Sequence, residues 1–189
     1  MQSGFFGKLP ARGDFIRAGL PTSFVTPWDD WMQVVLPASK AELGEAWLPA
    51  WMEAPVWRFR LSAGACGPAP VTGVFMPSVD KAGRHFPLTL ACVGPDLPGD
   101  SWLDGAEAAG IAALEHILEP DALMRQLQDT AAEPGPGGDS ECHWWTDGAP
   151  LVPATAFTSA SLPVAAHFVR MLVAAEPIDL DGSYKSDFG

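Results

Sequence analysis

The chain has 189 residues, of which 48% are hydrophobic, enough to build one core and too many for a disordered chain. Its formal net charge of −12 argues against nucleic acid and anionic membrane, which both need clustered Lys and Arg. No apolar run approaches the roughly 18 residues of a membrane span, and the start Met-Gln-Ser-Gly-Phe-Phe-Gly-Lys lacks the layout of a signal peptide.

In chain order, Gly4–Leu9 is predicted as a short strand leading into a Gly/Pro loop. A helix is expected from near Thr26, with Thr26 as cap, Pro27 at the first helical position and Asp29 in the first turn. Pro37 is expected to end it, and Ser39-Lys-Ala-Glu42 has the capping-box pattern that starts another, with Leu43, Ala46 and Trp47 on one face. Three strand-like runs follow, Val56–Ser62, Val71–Met76 and Phe86–Val93, and their short Gly-bearing links suit an antiparallel meander. Ser101–Leu118 and Asp121–Thr130 read as helices, and Cys142–Thr146 and Leu151–Thr158 as strands. Ser161–Ala175 reads as a closing helix whose apolar residues are spread around it, as in a buried helix. Glu133–Ser140 is a Pro/Gly loop with no apolar anchor, and the tail after Pro177 is polar. The expected architecture is α/β, a three-layer α/β/α sandwich around a mixed, largely antiparallel sheet, because the central links are too short for parallel crossovers. Residues 1–176 are expected as one domain and 177–189 as a tail.

Cys66, Cys92 and Cys142 are an odd number at wide spacing, unlike a disulfide framework, so a reducing compartment is the simpler inference. Charge is lopsided: residues 1–85 carry 8 basic and 7 acidic side chains, and residues 86–189 carry 3 and 16. The acidic half is a solvated surface that aids solubility, faces a basic partner, or holds a basic surface contributed by the first half. Some of the eight Trp residues are expected to fill the core, with the others left open between core and interface. On a strand, Trp144 and Trp145 point to opposite faces, one ring inward and the other onto a helix or an interface.

Two segments could carry chemistry. In Gly4–Phe15, Gly7-Lys8 invites a phosphate-loop reading, which fails because Gln2 and Leu9 stand where a Gly and a Ser or Thr are needed. The Arg12-Gly13-Asp14 triplet carries almost no weight as an adhesion motif. The Gly and Pro residues set a sharp path anchored by Phe5, Phe6, Leu9 and Phe15. In Pro77–Leu88, Ser78, Asp80 and His85 suggest a hydrolase, yet Ser78 lacks a G-x-S-x-G elbow and no oxyanion hole is evident. Asp80, Ala82 and Gly83 suit a turn, and Arg84 is placed to hold the loop by pairing with Asp80 or Asp14. His85, His116, His143 and His167 are too scattered for a metal site, and no cofactor is expected.

Taken together, Gly4-Phe-Phe-Gly-Lys-Leu-Pro-x-x-Gly-Asp-Phe15, Trp28 and Trp31, Pro55-Val-Trp-Arg-Phe59, Gly73-Val-Phe-Met-Pro-Ser-Val-Asp80 with Gly83-Arg84-x-Phe86-Pro87-Leu88, Trp144-Trp145 and Leu162-Pro163 resemble the TagF (ImpM) family of type VI secretion accessory proteins. The segments run in the family's order over about residues 4–175. The resemblance implies a Gram-negative cytoplasm, post-translational repression of assembly or firing, and a forkhead-associated (FHA) scaffold protein as partner. It also implies a three-layer fold and no catalytic residues. Ser161 stands where the family often has Gly. The leading expectation is a non-catalytic regulatory binding protein whose contact surface draws on Lys8, Arg12, Asp14, Ser78, Asp80, Arg84 and Trp144. A hydrolase using Ser78, Asp80 and His85 and a structural subunit of the machine are the alternatives.

Overall fold

A computed structural model describes residues 1–136 and 140–174. Among the described residues seven strands form one open sheet: β1 (Gln2–Gly7), β2 (Ile16–Ala18), β3 (Trp57–Leu61), β4 (Val71–Met76), β5 (Leu88–Val93), β6 (Cys142–Thr146) and β7 (Thr155–Ser159), in the spatial order β2-β1-β5-β4-β3-β6-β7. Every pairing is antiparallel, so the sheet is not mixed as expected. The meander β3-β4-β5 forms as read from its short links. β2 escaped the sequence reading because three residues are too few to display alternation.

Five α-helices accompany the sheet among the described residues: α1 (Thr22–Leu43), α2 (Trp47–Glu53), α3 (Asp100–Glu115), α4 (Pro120–Gln128) and α5 (Ala165–Leu172). Alternate strand residues feed two cores. Phe59, Phe75, Ala91 and Trp144 pack with residues of α1, α2 and α5, whereas Val74, Met76, Leu90 and Cys92 pack with α3 and α4. Helix α3 lies close to the sheet because its inner stripe is small: a Cβ at Gly110 would collide with the Met76 thioether.

The first helix corrects two expectations. It starts a turn before Thr26, with the Phe24 and Val25 amides bonded to the Pro21 carbonyl, so Pro27 lies inside it. Pro27 has no N–H to give the Ser23 carbonyl, and the backbone of Gly67 packs against that carbonyl so closely that no side chain fits there. Nor does Pro37 end the helix, which runs on to Leu43. Ser39 caps nothing; it is buried within α1, donating to the Leu36 carbonyl at 2.8 Å and accepting the Trp47 indole N–H at 2.8 Å. A buried indole needs an acceptor, and that need outweighs the local capping signal.

At the C-terminal side, β7 starts at Thr155 rather than Leu151, because a tight turn pairs Ala149 with Val152 and Pro153 follows it. Helix α5 starts after Pro163, whose carbonyl accepts the Trp31 N–H at 2.7 Å. It is not buried all round: Phe168, Val169, Met171 and Leu172 face the core, and Ala166, His167 and Arg170 are exposed. No helix among the described residues is long and apolar enough to cross a membrane. The expected tail and the middle of the Pro/Gly loop lie outside the described residues.

Candidate functional site

Because β1 and β4 both run antiparallel to β5, the loop after β1 and the loop between β4 and β5 emerge at the same end of the sheet. The two loops interlock. The Lys8 ammonium is buried against Asp80 Oδ2, and the same oxygen accepts Arg84 Nε at 2.8 Å. Asp80 Oδ1 accepts the amides of Ala82 and Arg84, each at 2.9 Å, which closes the turn. Ser78 Oγ donates to the Lys8 carbonyl at 2.8 Å, the Lys81 amide to the Arg12 carbonyl at 2.9 Å, and Arg84 Nη2 to the Gly13 carbonyl. Phe15 stacks on Phe6 with centroids 5.6 Å apart, meets Phe86 edge-on at 4.7 Å, and receives Lys8 Nζ over its face at 4.6 Å.

Electrostatics agree with this geometry. Burial alone would push the Asp80 carboxyl up, but Lys8, Arg84 and the two amides outweigh it and hold it well below the usual carboxylate range. The motif glycines have a steric reason. Gly7 takes φ 140°, and a Cβ on it would strike the Pro87 carbonyl, so β1 and the second loop can touch only through Gly.

The candidate residues therefore divide. Arg12, Asp14 and Arg84 are exposed, whereas Lys8, Ser78 and Asp80 are buried and hold the loops together. Trp144 is 1% exposed, stacked among Trp28, Phe59 and Phe157 with its N–H on Ser159 Oγ, so its ring cannot meet a partner on this surface. Arg84 pairs with Asp80 and not with Asp14. The Ser78, Asp80 and His85 side chains do not form a triad. Ser78 gives its proton to a backbone carbonyl, Asp80 is taken up by cations, and the His85 ring lies edge-on to Trp47 and Trp51, its pKa lowered by burial and by Lys40. Among the described residues no three His, Cys, Asp or Glu side chains gather as metal ligands.

The lopsided charge has a partial structural account. Arg58 on β3 reaches Asp104 at 2.7 Å and Glu107 at 2.8 Å, Arg60 reaches Asp100 at 2.7 Å, and Arg12 reaches Glu119 at 2.8 Å. The acidic second half thus holds cations of the first, with Arg60 also over the Trp145 ring at 5.2 Å. Sequence reasoning missed Glu119, because nothing local marks it out from the other acids.

The family model for the TagF N-terminal domain, described as type VI secretion system-associated, matches residues 4–130, about two thirds of the chain. The chain belongs to the TagF family. The crystal structure of PA0076 from Pseudomonas aeruginosa PAO1 matches over 97% of this chain and 100% of that one, with a TM-score of 0.82 and 34% identity. No curated protein matches. The interlocked loops, Phe5–Phe15 and Pro77–Leu88, fall inside the span of the TagF model, and β6, β7 and α5 fall outside it.

Proposed function

We propose that this TagF family member is a non-catalytic accessory regulator, a post-translational repressor of type VI secretion assembly or firing, that acts in the cytoplasm by binding the FHA scaffold protein of that system. In this reading residues 1–176 are one domain, and the two cores on opposite faces of the sheet make it a three-layer α/β/α sandwich. One observation carries the reading: the buried Lys8–Asp80 pair, with Arg84 closing over it, freezes two loops into one surface that presents Arg12, Asp14 and the outer side of Arg84. A surface fixed before contact loses little entropy on binding, which favours a protein partner. Nothing in the arrangement of Ser78, Asp80 and His85 favours catalysis over this reading.

The test is co-purification with the FHA scaffold from the same secretion cluster, comparing wild type with an Arg12→Glu, Asp14→Lys variant whose fold is checked by circular dichroism. A complex with wild type and none with the folded variant supports the reading. Failure of wild type to bind the scaffold overturns it.

A further inference from the structure

The two edges of the sheet are built differently. The β2 edge is three residues long and carries Arg17 at its centre, whose guanidinium is tied back to the Leu20 carbonyl and Thr22. Short length and charge are the usual protections of an edge. The β7 edge, Thr155-Ala-Phe-Thr-Ser159, has no charge, no Pro and no Gly, and most of it is exposed. Among the described residues no strand pairs with its outer side. Its inner side is firm: it pairs with β6 from Thr155 to Ser159, and Phe157 is seated against Trp57 at 5.7 Å and Trp144 at 6.1 Å. A rigid strand with an open row of backbone donors and acceptors is a template for one more strand.

The charge around this edge selects the kind of strand. No Lys or Arg occurs between Arg125 and Arg170, and that stretch holds five acidic residues. Two of them bracket the edge. Glu141 precedes Cys142, which pairs with Ser159, and Asp147 follows Thr146, which pairs with Thr155; both acids are exposed. A second copy of a chain with net charge −12 would bring like charge to this edge, whereas a basic segment is drawn to it.

We infer that β7 is a docking edge for an extended, Lys/Arg-bearing segment of a partner protein, which joins the sheet as an eighth strand. Backbone hydrogen bonds along Thr155–Ser159 supply the pairing, and Glu141 and Asp147 select for positive charge. The site stands apart from the interlocked loops, since β3 and β6 separate β7 from β4 in the sheet.

The test uses the full chain and three labelled synthetic peptides: a short alternating Lys–Val strand, its Glu–Val counterpart, and the Lys–Val strand with alternate amides N-methylated. The third has the same charge and cannot complete a ladder. Binding is followed by fluorescence anisotropy, and amide hydrogen exchange locates it. The expected result is that only the first peptide binds, that exchange slows at least about tenfold within Thr155–Ser159, and that Glu141→Lys with Asp147→Lys weakens binding in a folded protein. Equal binding of the N-methylated peptide would show mere attraction to an acidic chain and overturn the proposal. So would no binding of the Lys–Val strand, or protection in the free chain of those β7 amides that point away from β6, which would mean that a second copy or another segment of the chain occupies the edge.

Discussion

The Lys8 ammonium and the Asp80 carboxylate, 72 residues apart in the chain, are joined in a buried pair with side-chain exposures of 5% and 0%. The two partners are not equally dependent on each other. Asp80 also accepts Arg84 and two backbone amides, whereas Lys8 has no other anion among the described residues. Asp80→Ala strands a buried ammonium and should cost about 3 kcal/mol, at the low end of the range for such losses because Arg84 is 60% exposed and brings water to the rim. Lys8→Met should cost less, since the carboxylate keeps its other donors. Urea unfolding of the two variants measures the order, and a larger loss for Lys8→Met would refute this account of the pair.

The same carboxylate should make stability depend on acid. Its folded pKa lies below the unfolded value of about 3.9, so its contribution is complete above that pH and is lost as pH falls through it toward the folded value. His85 acts in a separate window. Burial and Lys40 lower its pKa, so stability should begin to fall as pH drops below about 6.5. Unfolding midpoints measured against pH should lose the lower segment in Asp80→Asn and the upper one in His85→Gln.

The cysteines should be inert in the native state. Burial pushes the Cys66 and Cys92 thiols up to about 12, with Cys142 adding to the effect at Cys66, and all three are at most 1% exposed. The thiolate is the reactive form. A thiol-specific chromogenic reagent at neutral pH should therefore detect none in the folded protein and three in denaturant. Rapid labelling of any one before unfolding would contradict the packing described.

Two glycines of the interlocked loops should respond unequally to Ala. Gly83 has φ 80° and open space around it, so Gly83→Ala carries only the left-handed penalty of about 1 kcal/mol. Gly7→Ala adds a collision with the Pro87 carbonyl and should cost at least about 3 kcal/mol, or prevent folding. Thermal melts of the pair give the comparison.

Much of the fold was legible because its signals were local. Phe86–Val93 is nearly continuous in apolar residues and Val71–Met76 is strand-like, and they became the central strands β5 and β4, buried on both faces. What misled was a local signal overruled at a distance. Ser39 looks like a cap, but the Trp47 indole claims it, and Pro37 looks like a stop, but α1 runs through it to keep Ser39 buried. At the site, the turn around Asp80 and the role of Arg84 could be read from spacing. That Lys8 would be buried beneath Phe15, or that Arg12 would find Glu119, depends on which loops the topology brings together, and no pattern within either loop encodes that.

The sheet order also sets a timetable. β1 is made long before its main neighbour, β5, with Gln2 opposite Val93. At roughly 5–20 residues per second of synthesis, β1 waits about 5–20 s for that neighbour to appear. During that interval Phe5 lacks the β5 residues that help to bury it, and contacts of such long sequence separation close slowly. The nascent chain is thus most exposed to misassembly while β1 awaits β5, and factors that shield emerging hydrophobic segments should matter more for its yield than the stability of the finished protein.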